Sequence, residues 1–309
     1  MNPIDPVRGA MKEPLERLAR MAWDQAPSLC HPQHGCTSYH RAWSLVRLIA
    51  LDGALPGASA FFIDQIARKI ASGARRILIS GSADTGLLAV VAQAIQRAGQ
   101  VAQVVVVDRC KTPLQQCRDY AGLLGLPVEF HACDVRELAI EPVDVVIAHS
   151  FLLFFPEPDR QQVIDAWARV TQPGATVLLF SPISPEEHID TMRLDRERIP
   201  GRAAALAAAA VGRGWDEAER ADLESAAMRF WMGFATIGQK PYTTEDNLRR
   251  GFERAGFRVL QVTPPVPESA TNGPLGVNAT LTDNRAELIA VRLLSGGGRT
   301  ASGEADTPA

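Results

Sequence analysis

Apolar residues follow two different spacings along this chain. In its middle, short continuous apolar runs at 76–80, 101–107, 127–132, 144–148 and 175–180 are punctuated by Gly, Asp or Ser. Runs of this length predict strands buried on both faces. Between them, segments 85–98, 112–124 and 159–171 carry apolar residues every three or four positions, which predicts helices with one core-facing side. Strands alternating with such helices predict an α/β fold: a parallel sheet covered on both faces, joined by right-handed crossovers.

The pattern changes at both ends of this core. Before Arg76 there is no strand spacing, and 13–23, 39–51 and 58–70 predict helices. Segment 185–236 is almost wholly helical in pattern, with an Ala-rich centre. A further helix is predicted over 242–256, with Thr244 as N-cap and Gly256 as stop. Two last strands, 257–262 and 287–294, flank a loop rich in Pro, Gly, Asn and Thr. The expected organisation is a helical front region over 1–72 and a cofactor-binding core over 73–184. A helical lid over 185–243, the end of the core over 244–295 and a disordered tail over 296–309 complete it.

Composition narrows the function. Hydrophobic residues make up 46% and charged residues 22%, as in ordinary globular proteins. Lys and Arg number 32 against 35 Asp and Glu, a formal charge of -3, without the basic excess of a nucleic-acid binder. No run approaches the ~18 apolar residues of a membrane span, and the first residues lack the apolar core of a signal peptide. The five cysteines are odd in number, so reduced thiols and a cytoplasmic location are expected. The expected partner is a small molecule rather than nucleic acid or membrane; a homodimer stays open.

The candidate chemistry lies where strands end. Segment 77–86, ILISGSADTG, runs a buried strand into a turn and then a helix. Gly81 permits the sharp turn and a ligand lying against backbone; Ser82, Ala83, Asp84 and Gly86 complete the cradle at a helix start. Asp108, with Arg109 after it, closes the second strand, where a carboxylate can accept both hydroxyls of a ribose. Asp134 follows the third strand, placed to accept from an adenine amino group, with Val135 as an apolar neighbour. Each Asp has a plainer reading as a cap or turn residue. A nicotinamide-dependent oxidoreductase is the weaker alternative, because GSADTG is not G-x-G-x-x-G.

Across roughly 75–294 the chain resembles the class I S-adenosylmethionine-dependent methyltransferases. ILISGSADTG is similar to the family's glycine-rich motif, VVVVDRC to its second and HACDV to its third. DVVIAHSFLLFF, VTQPGATVLLF and FERAGFRVLQV are similar to its later strands. The resemblance implies a Rossmann-like sheet of order 3-2-1-4-5-7-6 with strand seven antiparallel. It also implies S-adenosylmethionine as cofactor and S-adenosylhomocysteine as product. Two positions depart from the pattern: Ile79 replaces the usual acidic residue, and Ala83 the second glycine. Asp84 is then a candidate to replace the missing carboxylate near the methionine ammonium.

The implied activity is methyl transfer to a small molecule, with an oxygen or nitrogen acceptor favoured over carbon. A cyclisation on the same cofactor and a non-catalytic cofactor-binding subunit are the alternatives. His149, after the fourth strand and followed by Ser150, stands near the expected methyl group and is the candidate base; its plainer role is packing. Tyr39, His40 and Trp43 along one helix face, with Phe151, Phe154, Trp231 and Tyr242, are candidate walls of an apolar substrate pocket, though aromatics at such spacing are often plain core. Segment 29–43 clusters Cys30, His31, His34, Cys36 and His40, residue types that bind zinc. The spacing matches no C-x2-C pattern and no second pair lies elsewhere, so no metal is expected.

Overall fold

Seven strands form one sheet: β1 Arg76–Ser80, β2 Gln103–Val107, β3 Val128–His131, β4 Val143–His149, β5 Thr171–Pro182, β6 Phe257–Thr263 and β7 Arg285–Arg292. The computed structural model describes residues 13–49, 54–183, 196–237, 242–263 and 285–293. The sheet order is β3-β2-β1-β4-β5-β7-β6, as expected. The first five strands run parallel, and β7 runs antiparallel to both β5 and β6.

Nine α-helices are described: α1 Leu15–Leu29, α2 Thr37–Leu48, α3 Ala54–Ala71, α4 Gly86–Ala98, α5 Lys111–Leu124, α6 Asp159–Arg169, α7 Ile199–Ala209, α8 Glu217–Ile237 and α9 Glu245–Arg254. Because strand side chains alternate, Ile77 and Ile79 of β1 face α3, α4 and α5, while Leu78 faces α6 and α9. The two faces bury separate apolar clusters. Trp167 of α6 is wholly buried in the second, and its indole N–H donates to Ser80 Oγ at 2.8 Å.

A third apolar cluster sits off the sheet. It joins α1 and α2 at the front to α7 and α8 through Trp23, Leu45, Leu206, Phe230 and Trp231. So the front helices α1 and α2 and the mid-chain insertion pack together, while α3 lies on the sheet. Pro27 sits inside α1 and cannot donate to the carbonyl of Trp23. Arg41 Nε donates to that carbonyl instead, at 3.2 Å.

Several boundaries differ from the sequence pattern. The helix predicted to reach Thr171 stops at Arg169. Thr171 caps it by donating to the Trp167 carbonyl at 2.8 Å, and already pairs with Val143 as the start of a longer β5. The helical stretch 185–236 divides around Gly212 and Gly214, both at positive φ, which glycine adopts without steric cost. The last helix begins at Glu245, and Thr244 accepts the Asn247 N–H at 3.1 Å, the expected cap. The predicted tail 296–309 lies outside the described residues. Among the described residues, no helix is long and apolar enough to cross a membrane.

Candidate active site at the carboxyl edge of the sheet

Beyond β1 the chain turns at Gly81, whose φ is 78°. A Cβ there would overlap the ring of Phe151, so Gly is required for both backbone and space. Gly81 N–H donates to the Val107 carbonyl at 2.9 Å, tying the turn to the end of β2. Ser82 Oγ donates to the Asp84 carbonyl at 2.6 Å. Ala83 is partly buried, and Gly86 opens α4, its N–H donating to Asp84 Oδ1 at 2.9 Å.

Asp84 is buried with a partner the sequence did not reveal. Its Oδ2 accepts from Arg47 Nη1 at 2.7 Å, with side-chain exposures of only 4% and 12%. The other guanidinium nitrogen pairs with Glu13 at 2.7 Å, and Glu13 also accepts from Thr85 Oγ1 at 2.5 Å. Burial works to lower the Arg47 pKa, but the charges of Asp84 and Glu13 outweigh it and hold the guanidinium above its ordinary value. Burial raises the Asp84 carboxyl, with Arg47 pulling against it. The signal for Arg47 was present: His40, Ser44 and Arg47 form a polar stripe at helical spacing on α2.

Asp108 ends β2 with both oxygens engaged. Oδ2 accepts the Ser82 N–H at 3.0 Å and Oδ1 the Cys110 N–H at 2.7 Å. Burial raises its pKa, and these backbone donors oppose the rise. An ionised carboxylate offers about four acceptor positions, so about two stay open for ligand hydroxyls. Arg109 is exposed. Asp134 accepts the Arg136 N–H at 2.9 Å, capping a short 3-10 turn, and forms a two-pronged ion pair with the Arg136 guanidinium. That hydrogen-bonded guanidinium is the main reason its carboxyl lies below the usual range. The cap reading of Asp134 therefore holds in this structure. Val135 beside it is buried.

His149 ends β4 and stacks flat on Phe180 of β5, ring centroids 5.1 Å apart at 5°. The Phe62 ring of α3 lies 6.4 Å away, tilted by 60°. Ser150 takes a positive φ of 51°, rare outside glycine, while its N–H donates to the Phe180 carbonyl at 2.7 Å. Glycine turn, Asp108, Asp134 and His149 thus follow the carboxyl ends of β1, β2, β3 and β4, which are neighbours in the sheet. Ligands bind at this edge of open parallel sheets.

The proposed substrate walls are dispersed. Phe151 lies against Gly81, with Phe155 edge-on at 5.0 Å. Phe154 is exposed. Tyr39 and Trp43 turn toward Phe230 of α8, at 5.1 and 6.1 Å, and Trp231 is buried in the same helical cluster. Tyr242 is buried on the α6–α9 side with the Arg160 guanidinium over its ring. His40, three residues before Trp43 on α2, meets sulfur instead. Its Nδ1 lies 3.3 Å from Cys30 Sγ and 3.2 Å from Cys110 Sγ. His31 and His34 pair with each other instead. The expectation of no metal rested on the missing second pair; the fold supplies a single remote thiol, Cys110, to the Cys30, Cys36 and His40 group.

Known proteins resemble parts of this chain in sequence and in fold. Residues 85–174 fit a family model described as a methyltransferase domain. The carboxy-S-adenosyl-L-methionine synthase of Shewanella loihica is 24% identical over 110 residues, taking in 33% of this chain and 45% of the relative. That of Shewanella woodyi is 23% identical over 105 residues, 32% of this chain and 43% of the relative. The chain thus spans under half the length of these curated relatives. Among solved structures, an O-methyltransferase family protein from Burkholderia thailandensis is similar with a TM-score of 0.51 and 14% identity, covering 91% of this chain and 72% of that one. At that identity the likeness speaks for the fold. With the strand order, it shows a Rossmann-like methyltransferase fold, and the family model adds a methyltransferase domain over residues 85–174.

Proposed function

We propose that the protein is an enzyme that binds S-adenosylmethionine and transfers its methyl group to a small molecule. The observation that carries this reading is the set of polar strand ends on one sheet edge, with Asp108 joined to the glycine turn through Ser82. The donor set fits the cofactor: Asp108 keeps acceptor capacity for ribose hydroxyls, Val135 offers an apolar wall, and Gly81 leaves backbone close to the site. Asp134 joins adenine recognition with the acceptor capacity its Arg136 pair leaves over. When bound, the cofactor supplies an electrophilic methyl carbon on a sulfonium.

The chain's own residues supply position and, where the acceptor carries a proton, a base. Holding two reactants aligned contributes ~7–11 kcal/mol against the barrier. His149, whose ring stacks on Phe180, accepts that proton. We read the helical layer of α1, α2, α7 and α8, tied to the glycine turn through the Arg47–Asp84 pair of α2, as the wall that shapes the site for a small acceptor, with oxygen or nitrogen favoured.

Calorimetric titration with S-adenosylhomocysteine tests the binding. Saturable heat is expected, weakened about tenfold or more in Asp108→Ala; no heat with the wild-type chain removes the reading. In turnover, His149→Ala should lose ~10²–10⁴-fold with cofactor affinity kept, and a loss under about tenfold removes its role as base. A second reading follows from the relatives' printed names: conversion of the cofactor into its carboxylated form. Product mass separates the two.

A further inference from the structure

Away from the glycine turn, four metal-ligating side chains from three separate segments meet. Cys30 follows α1, Cys36 caps the start of α2, His40 lies one turn further along α2, and Cys110 follows β2. Their ligand atoms all lie within 4.8 Å of one another. Cys30, His40 and Cys110 are buried, and Cys36 is partly so.

We propose that Cys30, Cys36, His40 and Cys110 form a Cys3His site for a divalent transition metal of the zinc class. A tetrahedral zinc with bonds of ~2.3 Å to sulfur and ~2.0 Å to nitrogen separates two sulfurs by about 3.8 Å and a sulfur and nitrogen by about 3.5 Å. Here Cys36 and Cys110 sulfurs stand 3.8 Å apart, and Cys30 and Cys110 3.5 Å. The His40 Nδ1 distances of 3.2 and 3.3 Å are within a few tenths of that geometry. Cys36 and His40 are four apart on a helix, the spacing that puts both on one side. Thr112 Oγ1, 3.1 Å from Cys30 Sγ, is placed to donate to a thiolate from outside the ligand set. The ligand set is closed, with protein groups at all four positions, so the role is structural.

The position gives the metal a task. It fastens α1 and α2 to the end of β2, and the backbone N–H of its ligand Cys110 donates to Asp108 Oδ1. Loss of the metal frees the front helices and the loop that orients Asp108. That consequence rests on the proposed cofactor site; the metal site does not. A disulfide among the same sulfurs is the competing use, since two of the separations are short.

The test uses the full chain, purified under reducing conditions, stripped with a chelator and titrated with Co2+ alone. Expected are the visible bands of tetrahedral cobalt with thiolate charge-transfer absorption, saturating at about one ion per chain and displaced by Zn2+. Cys110→Ser and Cys36→Ser should lose these bands, while Cys133→Ser and His34→Ala keep them. Absence of tetrahedral bands in the wild-type chain overturns the proposal, whatever the variants do. So does their persistence in Cys110→Ser. So does a disulfide between Cys110 and Cys30 or Cys36, found by mass analysis of protein prepared without reductant and alkylated before and after reduction. Weakened S-adenosylhomocysteine binding in the stripped chain supports the link to Asp108; unchanged binding overturns that link and leaves the cobalt result to decide the site.

Discussion

The two sheet faces and the seam between α2 and the sheet edge are held together by opposite means. The faces are mostly apolar, from Ile77 and Val104 to Leu78 and Trp167, with Ser80 a buried polar exception held by the Trp167 indole. Along the seam, α2 presents His40 to Cys110, Ser44 to Gln116 and Arg47 to Asp84, and the Gln116 amide donates to Ser44 Oγ at 2.8 Å and the Leu18 carbonyl at 3.0 Å. Apolar burial is non-directional and scales with area, so it stabilises the sheet without fixing much detail. Buried polar pairs add little net stability, yet each is costly when one partner is missing. The seam therefore sets where the front helices sit, and the sheet supplies most of the free energy.

That contrast breaks most strongly at Trp167. Its replacement by Ala removes a fully buried indole and leaves Ser80 Oγ without its donor, so a loss of ~3–5 kcal/mol is expected in urea unfolding. A loss below about 1 kcal/mol would mean that the sheet faces do not carry the fold.

At the seam, Arg47→Met should cost about 3 kcal/mol, because Asp84 stays buried without its cation. The double variant Arg47→Met with Asp84→Asn should recover a large part of that loss, since the uncompensated charge is gone. Equal losses in single and double variants would assign the cost to packing of the Arg47 stem instead.

The same contrast explains what the sequence disclosed. Strands buried on both faces must be apolar over their whole length, so β1, β2 and β4 were legible as runs. The resemblance carried the sheet order, and Gly81, Asp108 and Asp134 were visible because strand ends punctuate those runs. The seam was less legible. Arg47 pairs with Glu13 and Asp84, 34 and 37 positions away, and Cys110 joins Cys30 from 80 positions away. Local spacing shows that His40, Ser44 and Arg47 share a face; it does not say which distant residue each one meets. Tyr39 and Trp43 show the same limit on the apolar side of α2. Aromatics at helical spacing look like pocket walls, but here they pack on Phe230, because α2 needs apolar contact with α8.

The smallest effect is expected at Asp134, on the rim of the same edge. Its pair with Arg136 is partly exposed, with side-chain exposures of 24% and 33%, so the ion pair contributes under about 1 kcal/mol. The sign follows from the depressed carboxyl pKa. A group held below its ordinary value of 3.8 in the folded chain stabilises it fully above that value. The contribution fades as pH falls through the depressed value, because the folded chain then gives up its advantage over the unfolded one. Asp134→Asn should therefore be slightly less stable than the parent in urea unfolding at neutral pH. The gap should stay constant down to about pH 5 and narrow in stronger acid. A gap that persists undiminished in strong acid would show that Asp134 acts through its cap to the Arg136 N–H, which Asn preserves only in part, and not through charge.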